Sequence, residues 1–260
     1  MKWCAFAGVL LALCVDGAAR AGDVPVYKAL PAAANSTSSG VLYAGLSLGA
    51  RWSDTAWTTT GLGSPPLAAA FPNPASFDAS TARAGGYGGA MWRIAPSWVI
   101  GLEGDIAWGD SRRTVAAIPG TCCGGFAGVK QGWDGSVRGR FGYLLDPAWL
   151  LYATGGVGWQ GLEVDASCSA KTSFCASTHA ESASATQTGW TLGAGIEVML
   201  RHNWLVRLEY RFADFGRLDH TFFVSPPADR VFMSESLKTQ TLLAGIAYKL
   251  GSVTPAIARR

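Results

Sequence analysis

From residue 40 onward, apolar and polar positions alternate with a period of two. That is the spacing of a strand with different surroundings on its two faces. Eight stretches carry it: about 41–52, 84–94, 97–109, 131–145, 148–162, 186–200, 203–215 and 237–250. Three of the joints are tight, at Ala95-Pro96, Asp146-Pro147 and Arg201-His202, with turn-forming residues close by. The other connections, about 53–83, 110–130, 163–185 and 216–236, are long and rich in Ser, Thr, Gly, Pro and Asp. Short turns at one end, long loops at the other and an even strand count fit an antiparallel barrel that crosses a membrane.

Splitting each strand into its two faces sharpens this expectation. In 97–109 one face reads Trp98, Ile100, Leu102, Gly104, Ile106, Trp108, and the other Val99, Gly101, Glu103, Asp105, Ala107, Gly109. In 149–159, Trp149, Leu151, Ala153, Gly155, Val157 and Trp159 share a face. Trp52, Trp92, Trp133, Trp190 and Trp204 also fall on the more apolar side of their strands. Trp98 to Trp108 and Trp149 to Trp159 each span 11 residues, which suits a tilted crossing of roughly 9–11 residues between two interfacial aromatic belts. All nine tryptophans are therefore candidate membrane-interface residues.

The opposite face carries Glu103, Asp105, Arg138, Arg140, Glu197, Arg207, Glu209 and Arg211, together with Arg51 and Arg93. In lipid each charge would cost several kcal/mol. Inside a narrow barrel opposite signs can pair, so the first eight form a candidate lumen charge network. Counting inward from Trp108 and Trp133 puts Glu103 and Arg138 at similar depth. A turn centred on His202 puts Glu197 across from Arg207.

Composition and the chain start agree with a membrane reading. Of 260 residues only 15% are charged, while Gly (33) and Trp (11) are abundant. The formal charge of +3 is too small to argue for a nucleic-acid partner. Lys2, an apolar run from Ala5 to Val15 and the A-x-A site Ala19-Arg20-Ala21 read as a signal peptide over 1–21. Residues 22–39 read as a Pro/Ala/Ser-rich periplasmic linker, 40–250 as the barrel domain and 251–260 as a C-terminal extension. No stretch approaches the roughly 18 apolar residues of a membrane helix. The expected class is all-β: an eight-stranded antiparallel transmembrane up-and-down barrel with long outer loops and short periplasmic turns. A soluble lipocalin-like barrel is the structural rival, and would turn its apolar face inward.

Three stretches carry a family resemblance: SWVIGLEGDIAWGD at 97–110, GSVRGRFGYLLDPAWLLYATGGVGWQ at 135–160 and TGWTLGAGIEVMLRHNWLVRLEYRFADFG at 188–216. Taken in order, they resemble the small outer-membrane β-barrel family of alpha-proteobacteria, the OmpA-like "porin family" or outer membrane immunogenic protein group. The resemblance covers about residues 22–250. It implies a bacterial outer-membrane location with both termini periplasmic and four loops outside. The implied partners are outer-membrane lipid, lipopolysaccharide and, during biogenesis, the barrel assembly machinery. No cofactor and no peptidoglycan-binding domain are implied, and an external ligand is unknown. The chain departs from the family at its end, where Tyr248-Lys249-Leu250 is followed by GSVTPAIARR rather than stopping at an aromatic residue.

Several residue clusters admit other chemistries. Glu103 and Asp105 as an acid/base pair would need a substrate inside a barrel filled by side chains. Gly156-Val157-Gly158-Trp159-Gln160-Gly161 matches G-x-G-x-x-G, but an alternating strand runs through it where a helix must open. Cys168 and Cys175 are a candidate disulfide within one outer loop. Adjacent Cys122-Cys123 could instead bond across to that loop, and with His179 the cysteines raise a zinc reading whose spacing fits no standard motif. His179 near Ser177 and Glu181, and His220 near Asp219 and Ser225, raise an outer-leaflet lipid A-modifying enzyme. Trp57, Phe71, Phe77, Phe126, Phe222 and Phe223 are loop aromatics, either adhesive or packed on one another. The favoured expectation is a non-enzymatic structural or surface-interaction protein, with a narrow diffusion porin as the alternative.

Overall fold

A computed structural model describes residues 40–63, 73–121, 124–170, 175–200 and 203–253. The expected signal peptide and linker, Phe71, Cys122-Cys123 and Arg201-His202 lie outside the described residues. The strands are β1 (Gly40–Leu62), β2 (Ala75–Ser76), β3 (Ala79–Ala95), β4 (Trp98–Trp108) and β5 (Ser111–Ala116), then β6 (Gly125–Leu144), β7 (Trp149–Cys168), β8 (His179–Met199), β9 (Trp204–Phe222) and β10 (Val231–Val253). Eight of them close an antiparallel ring in the order β1-β3-β4-β6-β7-β8-β9-β10, and β10 pairs back onto β1. Closure leaves no sheet edge, so the backbone polar groups of the spanning zone pair between neighbouring strands rather than with water.

Pairing sets the size of the ring. Following Cα partners from Trp52 through Gln240, Phe212, Leu192, Gly155, Gly139, Leu102 and Ala90 leads back to β1 at Leu42. The stagger from 52 to 42 tilts the strands. With eight strands the interior is just wide enough for side chains to fill it.

The two faces divide by polarity. Leu46, Leu48, Leu102, Ile106, Leu151, Leu192, Leu208 and Ile246 point outward and are exposed. Trp98, Trp149 and Trp204 stand outward at the turn end, and Trp52, Trp108, Trp133 and Trp190 at the loop end, each at least 37% exposed. Trp92 and Trp159 keep the outward side but are half-buried. An apolar outer wall between two indole rings is the inverse of a soluble barrel.

The segments expected to be long loops are mostly strand. β1, β6, β7, β8, β9 and β10 run 19–23 residues each, and only β4 stops at 11. The alternation persists beyond the loop-end indoles, with Thr55, Trp57, Thr59, Val129, Leu162, Val164 and Met233 buried inside. Outside lipid, Ser and Thr replace Leu and Val on the outward face, and that loss of contrast makes the sequence read as loop. At the chain end, β10 also continues to Val253, which pairs with Gly40, so part of the expected extension belongs to the barrel.

Above the loop-end indoles the ring splits. The β8–β9 ladder ends at Trp190 and Asp214, and the β3–β4 ladder at Ala84 and Trp108. Among the described residues, two sheets continue upward face to face: β9-β10-β1-β2, and β5-β6-β7-β8. Between them lies an apolar cluster that includes Trp57, Phe77, Ile118, Val164, Phe222 and Met233. Trp57 stacks on Phe222 with ring centroids 5.6 Å apart. Trp57, Phe77, Phe222 and Phe223 are thus core, whereas Phe126 is exposed.

This polarity division predicts a depth-dependent cost for charge on the outer wall. Leu102→Arg, at mid-span, should destabilise the folded barrel by about 2–4 kcal/mol. Thr188→Arg, beside Trp159 at the rim, should cost only about 0–1 kcal/mol. Denaturant titration of barrels folded into vesicles measures both, and equal costs would contradict the assigned lipid face.

Candidate functional site

Inward side chains near mid-span form a continuous ion-pair lattice. Neighbouring strands place charges at matching depth, and Glu103 and Arg138 are Cα partners. Arg138 is 0% exposed and bridges Glu103 and Glu209, at 2.6 Å each. Arg207 reaches Glu103 from across the lumen. Arg211 bonds Asp105 at 2.9 Å and Glu209 at 3.1 Å. Asp105 also accepts from Arg83 at 2.7 Å and from the Ser136 hydroxyl. Arg83 and Arg51 converge on Asp134.

Tyrosines close the lattice toward the turn end. Tyr43 donates its hydroxyl to Glu103, and Tyr152 donates to Glu209, both at 2.8 Å. The Arg140 guanidinium lies 3.7 Å from the centre of the Tyr152 ring and that of Arg207 3.5 Å from Tyr87, both in cation–π geometry. Beside Arg51, Asp134 and Thr191 a gap of about 20 Å³ remains, room for about one water.

The lattice differs from simple cross-strand pairing. Glu197 and Arg207 are Cα partners, yet Arg207 turns to Glu103 and Glu197 bonds Arg140 at 2.8 Å. Arg140 keeps only a 3.7 Å approach to Glu103. Long guanidinium arms cross a narrow lumen as easily as they reach the next strand. Arg83, Asp134 and the tyrosines were missed from sequence. Asp134 shares parity with Arg138, so alternation alone could have found it, while Arg83 sits one residue before the expected strand start.

The remaining candidates belong to the upper region. Cys168 and Cys175 are joined by a disulfide. Asp229, just before β10, accepts from the Ala176 and Ser177 amides at 2.7 and 3.1 Å and pairs with His179 at 2.9 Å. Burial works against the Asp229 charge, but these donors outweigh it and hold the carboxyl below its usual range. Glu181 accepts the Phe223 amide at 2.7 Å and lies 3.6 Å from His220. These contacts clasp the open β8–β9 seam. His179 therefore faces Asp229 rather than a serine hydroxyl. Gly156 to Gly161 lie within β7, and the Trp133 indole covers Gly161.

One buried carboxyl stands apart. Glu235 is fully buried in the upper region, and neither oxygen has a hydrogen-bond partner among the described residues. Its ladder neighbours are Trp57 and Leu218. Burial alone pushes it up to about 8, so it is held neutral inside an apolar layer.

The family model for the outer membrane protein beta-barrel domain matches residues 28–249. The 25 kDa outer-membrane immunogenic protein of Brucella abortus is 26% identical over 208 residues, 80% of this chain and 77% of that protein. The 22 kDa outer membrane protein of Rhizobium leguminosarum is 34% identical over 142 residues, 52% of this chain and 56% of that one. Among solved structures, the outer membrane protease OmpT of Escherichia coli superposes with a TM-score of 0.48 at 9% identity, covering 81% of this chain and 97% of that chain.

Two outcomes follow from the buried charges. Arg138→Met removes the cation that Glu103 and Glu209 share and should cost about 3–5 kcal/mol, read as a lower denaturant midpoint for the heat-modifiable folded band. Glu235 is neutral when folded and ionises near the ordinary carboxylate range when unfolded. Its contribution is complete below that range and is lost as pH rises through about 8. Stability of the upper region, followed by Trp57 emission, should therefore fall between pH 5 and 8 by this component, and Glu235→Gln should flatten that slope. An unchanged slope would contradict the assignment.

Proposed function

This chain belongs to the outer membrane protein beta-barrel domain family, and from that premise we propose that it is a sealed structural barrel that displays a rigid external platform. It lies in the bacterial outer membrane, as its relatives do. The observation that carries the sealed reading is the filled lumen. Six guanidinium groups (Arg51, Arg83, Arg138, Arg140, Arg207, Arg211) and five carboxylates (Glu103, Asp105, Asp134, Glu197, Glu209) interlock across it. Apolar clusters occupy the interior both above and below. An ion crossing this interior would have to break several buried pairs, each disruption costing kcal/mol.

The upper sheets support the display role. They extend the barrel beyond the outer indoles, are filled by a shared apolar core and are tied by the Asp229 clasp, while a disulfide closes the β7–β8 connection. A platform ordered in this way loses little entropy when a partner binds. The histidines have the same structural reading, with His179 paired to Asp229 and stacked on Phe223. The porin alternative requires the lattice to part, and no catalytic role is assigned.

Purified protein in a planar bilayer should show no steady unitary conductance at neutral pH. A stable conductance, abolished when the gap at Thr191 is filled by Thr191→Trp, would overturn the sealed reading in favour of a narrow pore.

A further inference from the structure

The ion-pair lattice does not balance its own charge. Its six guanidinium groups and five carboxylates form one connected set of contacts. Arginine keeps its proton in proteins. Tyr43 and Tyr152 donate their hydroxyls to carboxylates and so stay neutral. Six against five leaves one positive charge in excess. No member has a side chain more than 12% exposed, so bulk solvent does not neutralise it. A buried charge left without a counter-charge is strongly destabilising.

Compensation is thinnest at the loop end of the lattice, around Arg51. The carboxylate that Arg51 meets is Asp134, at 2.8 Å, and Arg83 shares it at 2.5 Å. The other acceptors of Arg51 are uncharged and include the Gly109 carbonyl at 2.6 Å and the Gln160 side chain at 3.1 Å. Its Nε is buried without a hydrogen-bond partner among the described residues. Asp110, the residue after Gly109, is exposed and therefore screened by solvent. A gap of about 20 Å³ lies beside this guanidinium, and its wall also includes Asp134, Arg211, Thr191, Thr239 and Thr241. Thr239 and Thr241 are buried and bring hydroxyl donors. Thr191 instead gives its proton to the Phe212 carbonyl at 3.0 Å. Space for about one water also admits a chloride ion, which is only modestly larger.

We propose that this gap is a halide site, where one chloride ion is held by the Arg51 and Arg211 charges and by the Thr239 and Thr241 hydroxyls. The ion supplies the sixth negative charge of the lattice. Asp134 does not bar it, because two guanidinium groups already hold that carboxylate. Size and charge together select the occupant. Water fits but leaves the charge uncompensated, whereas phosphate or sulfate carries charge but is too large. The site depends on the lattice and not on whether the lumen conducts. It can therefore fail while the sealed reading stands, and the reverse.

The test folds the full-length protein into phosphatidylcholine vesicles in sodium chloride, bromide or gluconate at equal ionic strength. Urea titration follows, with heat-modifiable migration reporting the folded fraction. Wild type should show a higher midpoint in chloride and in bromide than in gluconate, whose anion is too large for the gap. The gain should grow with the logarithm of halide concentration, as binding of one ion to the folded state requires. Thr241→Asp places a carboxylate at the gap and should remove the halide dependence. Arg51→Gln removes the surplus cation and should remove it too. Lys238→Ala, on the exposed side of β10, should keep it. Equal wild-type midpoints in the three salts would mean that the gap holds water only, and would overturn the site. A halide gain that persists in whichever of Thr241→Asp and Arg51→Gln folds would be a general salt effect and would also overturn it. Crystals grown in bromide should show an anomalous-scattering peak beside Arg51 and Thr241, and its absence there would overturn the placement.

Discussion

The interaction on which this barrel depends is the buried bridge from Glu103 through Arg138 to Glu209. An eight-stranded ring has an interior too narrow for bulk water and too polar in sequence for an oil-like core. Its charges must therefore satisfy one another. Arg138 sits at the centre because its planar fork serves two carboxylates from opposite sides of the lumen. Arg207, Arg211 and the tyrosines Tyr43 and Tyr152 then complete those carboxylates. The outer wall can be uniformly apolar because these inward groups already have partners.

A second constraint acts above the membrane. Once outward residues meet water instead of lipid, the driving force for a closed ring weakens, and the wall opens along β8–β9 and β3–β4. The two halves stay together by burying Trp57, Phe77, Phe222 and their neighbours, as in a sheet sandwich. The polar stitches at Asp229 and Glu181 bond backbone amides where the ladder no longer runs. Glu235 sits within this layer, where burial pushes its carboxyl up to about 8.

The legible part of the molecule was the part with strong contrast between faces. Leu102 against Glu103, or Leu208 against Glu209, reveals a strand and its orientation because lipid and lumen demand opposite chemistry. Where Ser53, Thr55 and Thr59 alternate with other small or polar residues, that contrast vanishes, and the sequence of a strand resembles that of a loop. Trp57 illustrates the cost: the sequence leaves it a loop aromatic, either adhesive or packed on its neighbours, and only the structure places it fully buried in a strand. Most charged lattice members fall on faces of known parity and are legible there, whereas Arg83 is lost to a strand boundary and Asp134 was passed over although its parity matches that of Arg138. The gap beside Arg51 could not be read at all, because it is bounded by several strands and not by one.

By itself, then, the sequence determined which residues face lipid and which face inward, since a period of two leaves only two choices and a membrane penalises the wrong one. It determined the eight crossings and their tryptophan-bounded length for the same reason. Only the tertiary structure decided which charge meets which. Glu197 and Arg207 stand opposite each other, but the stagger of the ring brings Arg140 to one and Glu103 to the other. Partner choice across a lumen depends on shear, tilt and the reach of guanidinium arms, and none of these is local to a stretch of chain.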